Sequence, residues 1–131
     1  MAKQRWFPVM KRGGGPELRR TQEHTMDNLK WSESEKRLSR RVYEAALEAE
    51  LAEVMAEFKS KATAVRTPEE TWDLEGYLAQ RRREIDGKYD YRYSQLLFVF
   101  GRLVREGRVQ IEQLEGFSEE KLSFIERIVS L

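Results

Sequence analysis

From Ser32 to about Ala62 the chain contains no glycine and no proline. Ser32-Glu33-Ser34-Glu35 opens this stretch as a capping box: the serine hydroxyl accepts from the Glu35 amide and the Glu35 carboxylate reaches back. Trp31 sits just outside the cap, where an apolar residue staples a helix entry. At 1.5 Å per residue such a helix is roughly 45 Å long, whereas a globule of about 100 residues has a radius of gyration near 13 Å. A helix of this length overhangs any compact monomer, and that limits the folds open to the chain.

Two apolar stripes run along it. Leu38, Val42, Ala45, Ala49, Ala52 and Ala56 recur at alternating spacings of four and three; Leu47, Leu51, Val54, Phe58 and Ala62 form a second set. Two stripes call for two partners. The small residues of the first permit close helix approach, so Ala45, Ala49 and Ala52, with Met55 beside them, are expected to form the interface of a homodimer.

Thr67-Pro68-Glu69-Glu70 repeats the start signal, with proline in the first turn. The second helix is expected to run to about Asp86, before Gly87. A third is expected from Tyr89–Tyr91 to Gly107, then a turn with a short helical piece between Val109 and Phe117, then a last helix capped by Ser118 and ending near Ser130. No strand pattern is convincing. The fold expected is all-α, elongated and dimeric: one long N-terminal helix, two middle helices and a short C-terminal helix.

The 131 residues suit one domain, 36% charged, with a mean hydropathy of -0.74. Residues 1–25 carry six Lys/Arg and two Glu, leaving 26–131 with a net charge of -3. That balance argues against phosphate binding over a broad face. Gly13-Gly14-Gly15-Pro16 and the lack of an apolar period make 1–25 read as a disordered basic tail; a start at Met26 fits the change of character equally well. The helical domain is expected over 26–131. The N-terminus has no apolar secretory core and no run approaches membrane-spanning length, so a cytoplasmic location without membrane insertion is expected. There is no cysteine, and the one histidine is His24. Residues 26–131 thus offer no imidazole for a catalytic triad, a proton relay or a metal site, and no thiolate, and no P-loop or dinucleotide fingerprint occurs. No cofactor and no enzymatic activity are expected.

On a helical wheel, Leu74, Tyr77, Leu78 and Ile85 share one side of the second helix. Trp72, Glu75, Gly76, Ala79, Arg82 and Arg83 share the other. A tryptophan on a polar face near an arginine is the composition of an interaction hot spot; Arg82 adds a planar fork suited to a carboxylate, and Gly76 and Ala79 leave a shallow floor. The bland alternative has Trp72 covering a helix joint. Arg81 falls on the core side and is expected to snorkel. On the third helix Leu96, Leu97, Phe100, Leu103 and Val104 form the core face, while Phe98 points about 160° away from Phe100.

TWDLEGYLAQRRREIDGKYDYRYSQLLFVFGRLVREGRV closely resembles the fluorescence recovery proteins of cyanobacteria. Trp72, Leu74, Leu78, Arg82, the run Glu84-Ile85-Asp86-Gly87-Lys88-Tyr89-Asp90, Arg92, Phe98-Val99-Phe100 and Glu106-Gly107 carry the match, which extends more weakly from Trp31 to Leu131. The resemblance implies an all-helical dimer without cofactor. It implies binding to the photoactivated red form of the orange carotenoid protein, mainly through that partner's C-terminal domain. It further implies faster return of the partner to its orange form and release from the phycobilisome, an indirect association that would bring the chain to the thylakoid surface. By the same resemblance Trp72 and Arg82 lie on the active face and Phe98 contacts the partner. Glu75, Asp86 and Lys88 are added as partner-binding candidates, with Asp86, Lys88 and Tyr89 shaping the turn between two helices. Two features depart from the family pattern. Glu75 and Gly76 stand where a polar residue and then a carboxylate are usual, and Phe124 stands where a lysine is usual, with Lys121 one turn away.

Two alternatives remain from the residues alone. The second and third helices can be read as a loose helix-turn-helix with Arg81-Arg82-Arg83 near the turn, giving a small DNA-binding protein. A dimeric adaptor for some other protein also fits.

Overall fold

The computed structural model describes residues 30–131. The expected tail, residues 1–25, and Met26 lie outside the described residues. Helix α1 spans Glu33–Ala64, α2 Pro68–Lys88, α3 Leu96–Arg105 and α4 Glu119–Val129, with a 3-10 turn at Ile111–Leu114. No strand occurs among the described residues. Both capping boxes form. Ser32 Oγ accepts from the Glu35 amide at 3.1 Å while Glu35 Oε1 accepts from the Ser32 amide at 3.0 Å. Thr67 and Glu70 reciprocate at 3.1 and 3.2 Å. Each box satisfies amides that no helical carbonyl can reach.

The helices α1 and α2 lie antiparallel. Tyr77 donates its hydroxyl to Glu57, Lys61 lies over the Tyr77 ring, and further along Lys88 meets Glu50. All the fully buried residues of α1 lie between Glu35 and Glu50. There α3, the 3-10 turn and α4 close a core around Leu47, Ile85, Leu96, Leu97, Phe100, Leu103, Leu114 and Ile125. Between Glu50 and Ile85 no residue is fully buried. The outer half of α1 and most of α2 therefore form an arm projecting from a packed head, which is the overhang that helix length demands.

The first apolar stripe divides accordingly. Leu38 and Val42 are covered by the head, whereas Ala45, Ala49, Ala52 and Ala56 are exposed and Met55 is 57% exposed. In the second stripe Leu47 is buried, Leu51, Val54 and Phe58 are half-buried beside α2, and Ala62 is exposed.

Two expected boundaries are corrected. Helix α2 continues through Gly87 to Lys88, because the Tyr89 amide still reaches the Ile85 carbonyl at 3.0 Å. Helix α3 begins at Leu96 rather than at Tyr89–Tyr91. The segment between them is held open by its aromatic side chains. Tyr89 and Tyr91 both pack edge-on against Tyr43, Tyr93 stacks at 5.2 Å on Trp31, and Trp31 meets Phe117 at 5.5 Å. The Tyr91 hydroxyl is 2.9 Å from Ser39 Oγ, and the Arg40 guanidinium lies 4.4 Å above the Tyr91 ring. Burial pushes the Tyr43 and Tyr89 phenols upward. The tyrosines beside the arginines thus mainly serve the joint between α1 and the head. Among the described residues only Gly107 has a positive φ, +80°, where the chain leaves α3.

Candidate functional site

The polar face of α2 stands as the wheel predicts. Trp72 is 65% exposed, and Glu75, Gly76, Ala79, Arg82 and Arg83 are all exposed, while Leu74, Tyr77 and Leu78 turn toward α1 and Ile85 is fully buried. A Cβ built on Gly76 meets no atom within 4 Å. The glycine leaves the floor of this face open, and nothing inside the fold requires it. Arg82 Nε is 4.0 Å from Asp86 Oδ2 on the next turn, an exposed pair of the kind that adds a few tenths of a kcal/mol. Arg82 also rims a groove of about 430 Å³ between α1 and α2, floored by Leu51, Val54, Leu78 and Ile85. Its guanidinium therefore sits at the edge of apolar surface, where a partner's burial would strengthen a charged contact.

Arg81 takes the other side, as expected. Only 17% of its side chain is exposed, and it pairs with Glu84 at 2.8 Å and Glu57 at 3.7 Å. The three consecutive arginines do not form one basic stripe. Residues 89–95 separate α2 from α3, longer than the three- or four-residue turn of a helix-turn-helix. The DNA-binding alternative loses its motif.

Lys88 is corrected. Its side chain is 5% exposed and its ammonium bonds Glu50 and Glu106, both at 2.8 Å. It cannot present its charge to a partner from this position. Asp86 is half-buried, and Phe98 is 46% exposed. Phe98 lies on α3, against Phe124 of α4 with the ring centroids 5.4 Å apart.

The charged cluster around Glu50 was not anticipated. Glu50 is 1% exposed and accepts from Lys88 and from the Tyr89 hydroxyl at 2.9 Å; Arg108 Nε lies 3.3 Å away. Arg108 also forks onto Glu53 with two bonds of 2.9 Å, which raises its own pKa and lowers that of Glu53. Burial would raise the Glu106 pKa, but hydrogen bonds from Lys88 and Arg102 outweigh it and the net shift is downward. The cluster ties the arm to the head at the point where the core ends. A signal existed in the chain: Glu50 continues the core register Tyr43, Leu47, Glu50, Val54, so its carboxylate had to be buried or to break the stripe.

No group of His, Asp or Glu able to hold a metal occurs among the described residues. No helix among them is long and apolar enough to cross a membrane.

The comparisons agree with this geometry. The family described as "Photoprotection regulator fluorescence recovery protein" matches residues 31–129. The fluorescence recovery protein of Synechocystis sp. is 35% identical over 101 residues, covering 77% of this chain and 93% of that protein. The solved structure of the Fremyella diplosiphon fluorescence recovery protein superposes with a TM-score of 0.75 at 32% identity, over 78% of this chain and all of that one. The Synechocystis sp. structure gives 0.74 at 34% identity, again over 78% and 100%. The chain belongs to the photoprotection regulator fluorescence recovery protein family.

Proposed function

We propose that this protein is a non-enzymatic regulator that binds the photoactivated, red form of the orange carotenoid protein, mainly through that partner's C-terminal domain. It speeds return to the orange form and helps detach the partner from the phycobilisome, ending photoprotective quenching. The observation that carries this reading is the exposure of Trp72 and Arg82 on one face of α2, in a chain of this family. The mechanism is differential binding. A partner that opens on illumination exposes surface hidden in its closed form. A regulator that holds the transition state for closure more tightly than the open form lowers the barrier. It loses affinity once closure hides that surface again.

The working unit in this reading is a homodimer. The arm buries no residue fully between Glu50 and Ile85, and the exposed stripe of Ala45, Ala49, Ala52 and Met55 runs from the head onto it. A second copy would cover that stripe, with small residues letting the helices approach closely.

The test is absorbance recovery of red orange carotenoid protein in the dark. The unmodified protein accelerates it; no acceleration sinks the reading. Arg82→Leu and Trp72→Leu are expected to remove most of the effect while keeping the helical fold, since neither side chain serves the core. A lost hot spot costs about 2 kcal/mol or more, roughly a 30-fold fall in affinity. Arg82→Lys retains the charge and loses the planar fork, so it is expected to be impaired as well.

A further inference from the structure

The first turns of α1 carry Lys36, Arg37, Arg40 and Arg41. These four cations line an open groove of about 550 Å³ on the head. Two of them rest on rings. The Arg40 guanidinium lies over Tyr91, and the Lys36 ammonium is 5.7 Å from the centroid of Tyr93, a ring 37% exposed. Each of the two has one carboxylate nearby: Glu44 is 3.4 Å from Arg40, and Glu33 is 3.7 Å from Lys36. Arg37 and Arg41 stand one turn apart and are both exposed, and neither forms an ion pair among the described residues. Glu44 and Glu48 line the far end of the groove. Positive charge is thus gathered on two turns of α1, and negative charge follows on the next two. The groove is remote from the exposed face of α2. Tyr77 of α2 meets α1 at Lys61, about 20 residues beyond Arg40 and roughly 30 Å along the helix. Trp72 lies further still toward the tip of the arm.

We propose that this groove binds an acidic peptide segment of another protein, in extended form, as a site separate from the Trp72 face. The spacing suits an extended chain. Lys36 with Arg40, and Arg37 with Arg41, are pairs four residues apart, about 6 Å along the helix axis. Alternate side chains of an extended peptide recur at about 6.5 Å. Two carboxylates two residues apart therefore meet both turns. Guanidinium forks take a carboxylate through two parallel bonds, and Arg37 and Arg41 have no acid of their own among the described residues to release first. Glu44 and Glu48 set the direction. Beyond its acidic pair the peptide must present a lysine or arginine, because a continued acidic run is repelled there. The same two carboxylates disfavour nucleic acid, whose charge keeps one sign along the strand. A small anion is disfavoured by shape, since the groove is open along its length and would leave such a ligand uncovered. At the other end the Tyr93 ring offers a surface for an apolar side chain of the peptide. Separation from the α2 face lets both sites be filled at once. The protein is then tethered to one partner through α1 while α2 engages another, a property beyond the function proposed above.

The experiment titrates the isotope-labelled full chain with the synthetic peptide Glu-Ser-Glu-Ser-Ser-Lys at low salt and follows the NMR spectrum. Shifts are expected to gather at residues 36–48 and at Tyr93, and to fade as salt is raised. Arg37→Gln combined with Arg41→Gln is expected to weaken binding about tenfold with helicity unchanged, since both side chains are exposed. Glu48→Lys is expected to transfer the preference to a peptide that ends in glutamate. Four outcomes overturn the proposal. The shifts fall elsewhere on the chain. The folded double variant binds the peptide as tightly as the unmodified protein. A thymidine hexanucleotide binds the groove more tightly than the peptide, which makes it a phosphate site. The double variant changes the mass of the assembly in sedimentation, which makes the occupant a second copy. In dark recovery of the photoprotein the double variant is expected to match the unmodified protein; a fall like that of Arg82→Leu would assign the groove to the photoprotein and remove the separate site. If the unmodified protein does not accelerate recovery, the proposed function falls, and the peptide titration still decides the groove.

Discussion

The Lys88 ammonium at the end of α2 lies 2.8 Å from the Glu50 carboxylate in the middle of α1, and both side chains are almost wholly buried. A buried ion pair is tolerated only when its remaining donors and acceptors are met. Here the Tyr89 hydroxyl, Arg108 and Glu106 complete it. Glu50 sits at the last fully buried turn of α1, so the pair fixes the angle at which the arm leaves the head. Removing one partner leaves an uncompensated charge in the interior. Lys88→Met is therefore expected to cost about 3–5 kcal/mol and to lower the melting temperature sharply. The double variant Lys88→Met with Glu50→Gln is expected to recover part of the loss. A single variant that melts like the unmodified protein would show that the cluster holds nothing in place.

Acid should weaken the contacts made by Glu35 and Glu106. Burial pushes the Glu35 carboxyl up, but bonds from the Ser32 and Ser118 amides and from Lys121 overcome this and hold it below the ordinary glutamate range. Glu106 is depressed in the same way by Lys88 and Arg102. A carboxyl with a lower folded pKa binds fewer protons folded than unfolded, so its contribution is complete above about 4.5 and is lost as pH falls through the folded value. Urea midpoints are expected to stay level from about pH 5 to 8 as far as these groups are concerned, and to drop below pH 4. In Glu35→Gln the drop should be shallower, from a lower plateau. An unchanged acid limb in that variant would exclude Glu35 as a contributor.

Close packing at Gly101 gives a third expectation. In Gly101→Ala the new methyl collides with the β-carbon of Ile128, which cannot swing away as a side-chain tip can. Overpacking of this kind costs about 1–3 kcal/mol. Ile128→Ala placed in the same chain opens the space, and stability measured by urea unfolding should rise again relative to Gly101→Ala alone. If Gly101→Ala is neutral by itself, the helices have room to part and the crossing is not set by that glycine.

What could be read in advance divides by the range of the forces involved. The capping boxes at Ser32 and Thr67 are local, and both formed as their residues indicate. The exposed face of α2 was also legible, because a 3.6-residue period separates Trp72, Gly76 and Arg83 from Leu74 and Ile85; Arg82, four residues after Leu78, stands at the border of that face and lines the groove beside Leu78 and Ile85. The start of α3 was not. Nothing local forbids a helix over Tyr89–Tyr93; the aromatic contacts with Tyr43 and Trp31, more than forty residues earlier in the chain, pull that segment open. Lys88 misled for the same reason. In isolation it is a charged residue beside a glycine, and only the fold brings Glu50 and Glu106 to it. The pairing of Phe98 with Phe124 likewise depends on how α3 crosses α4, which no periodicity within either helix reports.

The arm supplies the last expectation. Ala49 and Ala52 are exposed in the single chain and Met55 is 57% exposed, so packing within one subunit makes no use of this stripe. If a second copy covers it, glutamate at Ala52 or Met55 places an unpaired charge in a closed helix joint, at a cost of several kcal/mol. The same substitutions face water in a monomer and cost the subunit almost nothing. The two effects separate cleanly: helicity per residue should be retained while sedimentation shows the mass fall by half. Concentration dependence adds a further check, since a weakened dimer melts lower on dilution and a monomer does not. Should both variants remain dimeric at micromolar concentration, the second copy binds through another surface, and the groove lined by Leu51, Val54 and Leu78 becomes the one to mutate next.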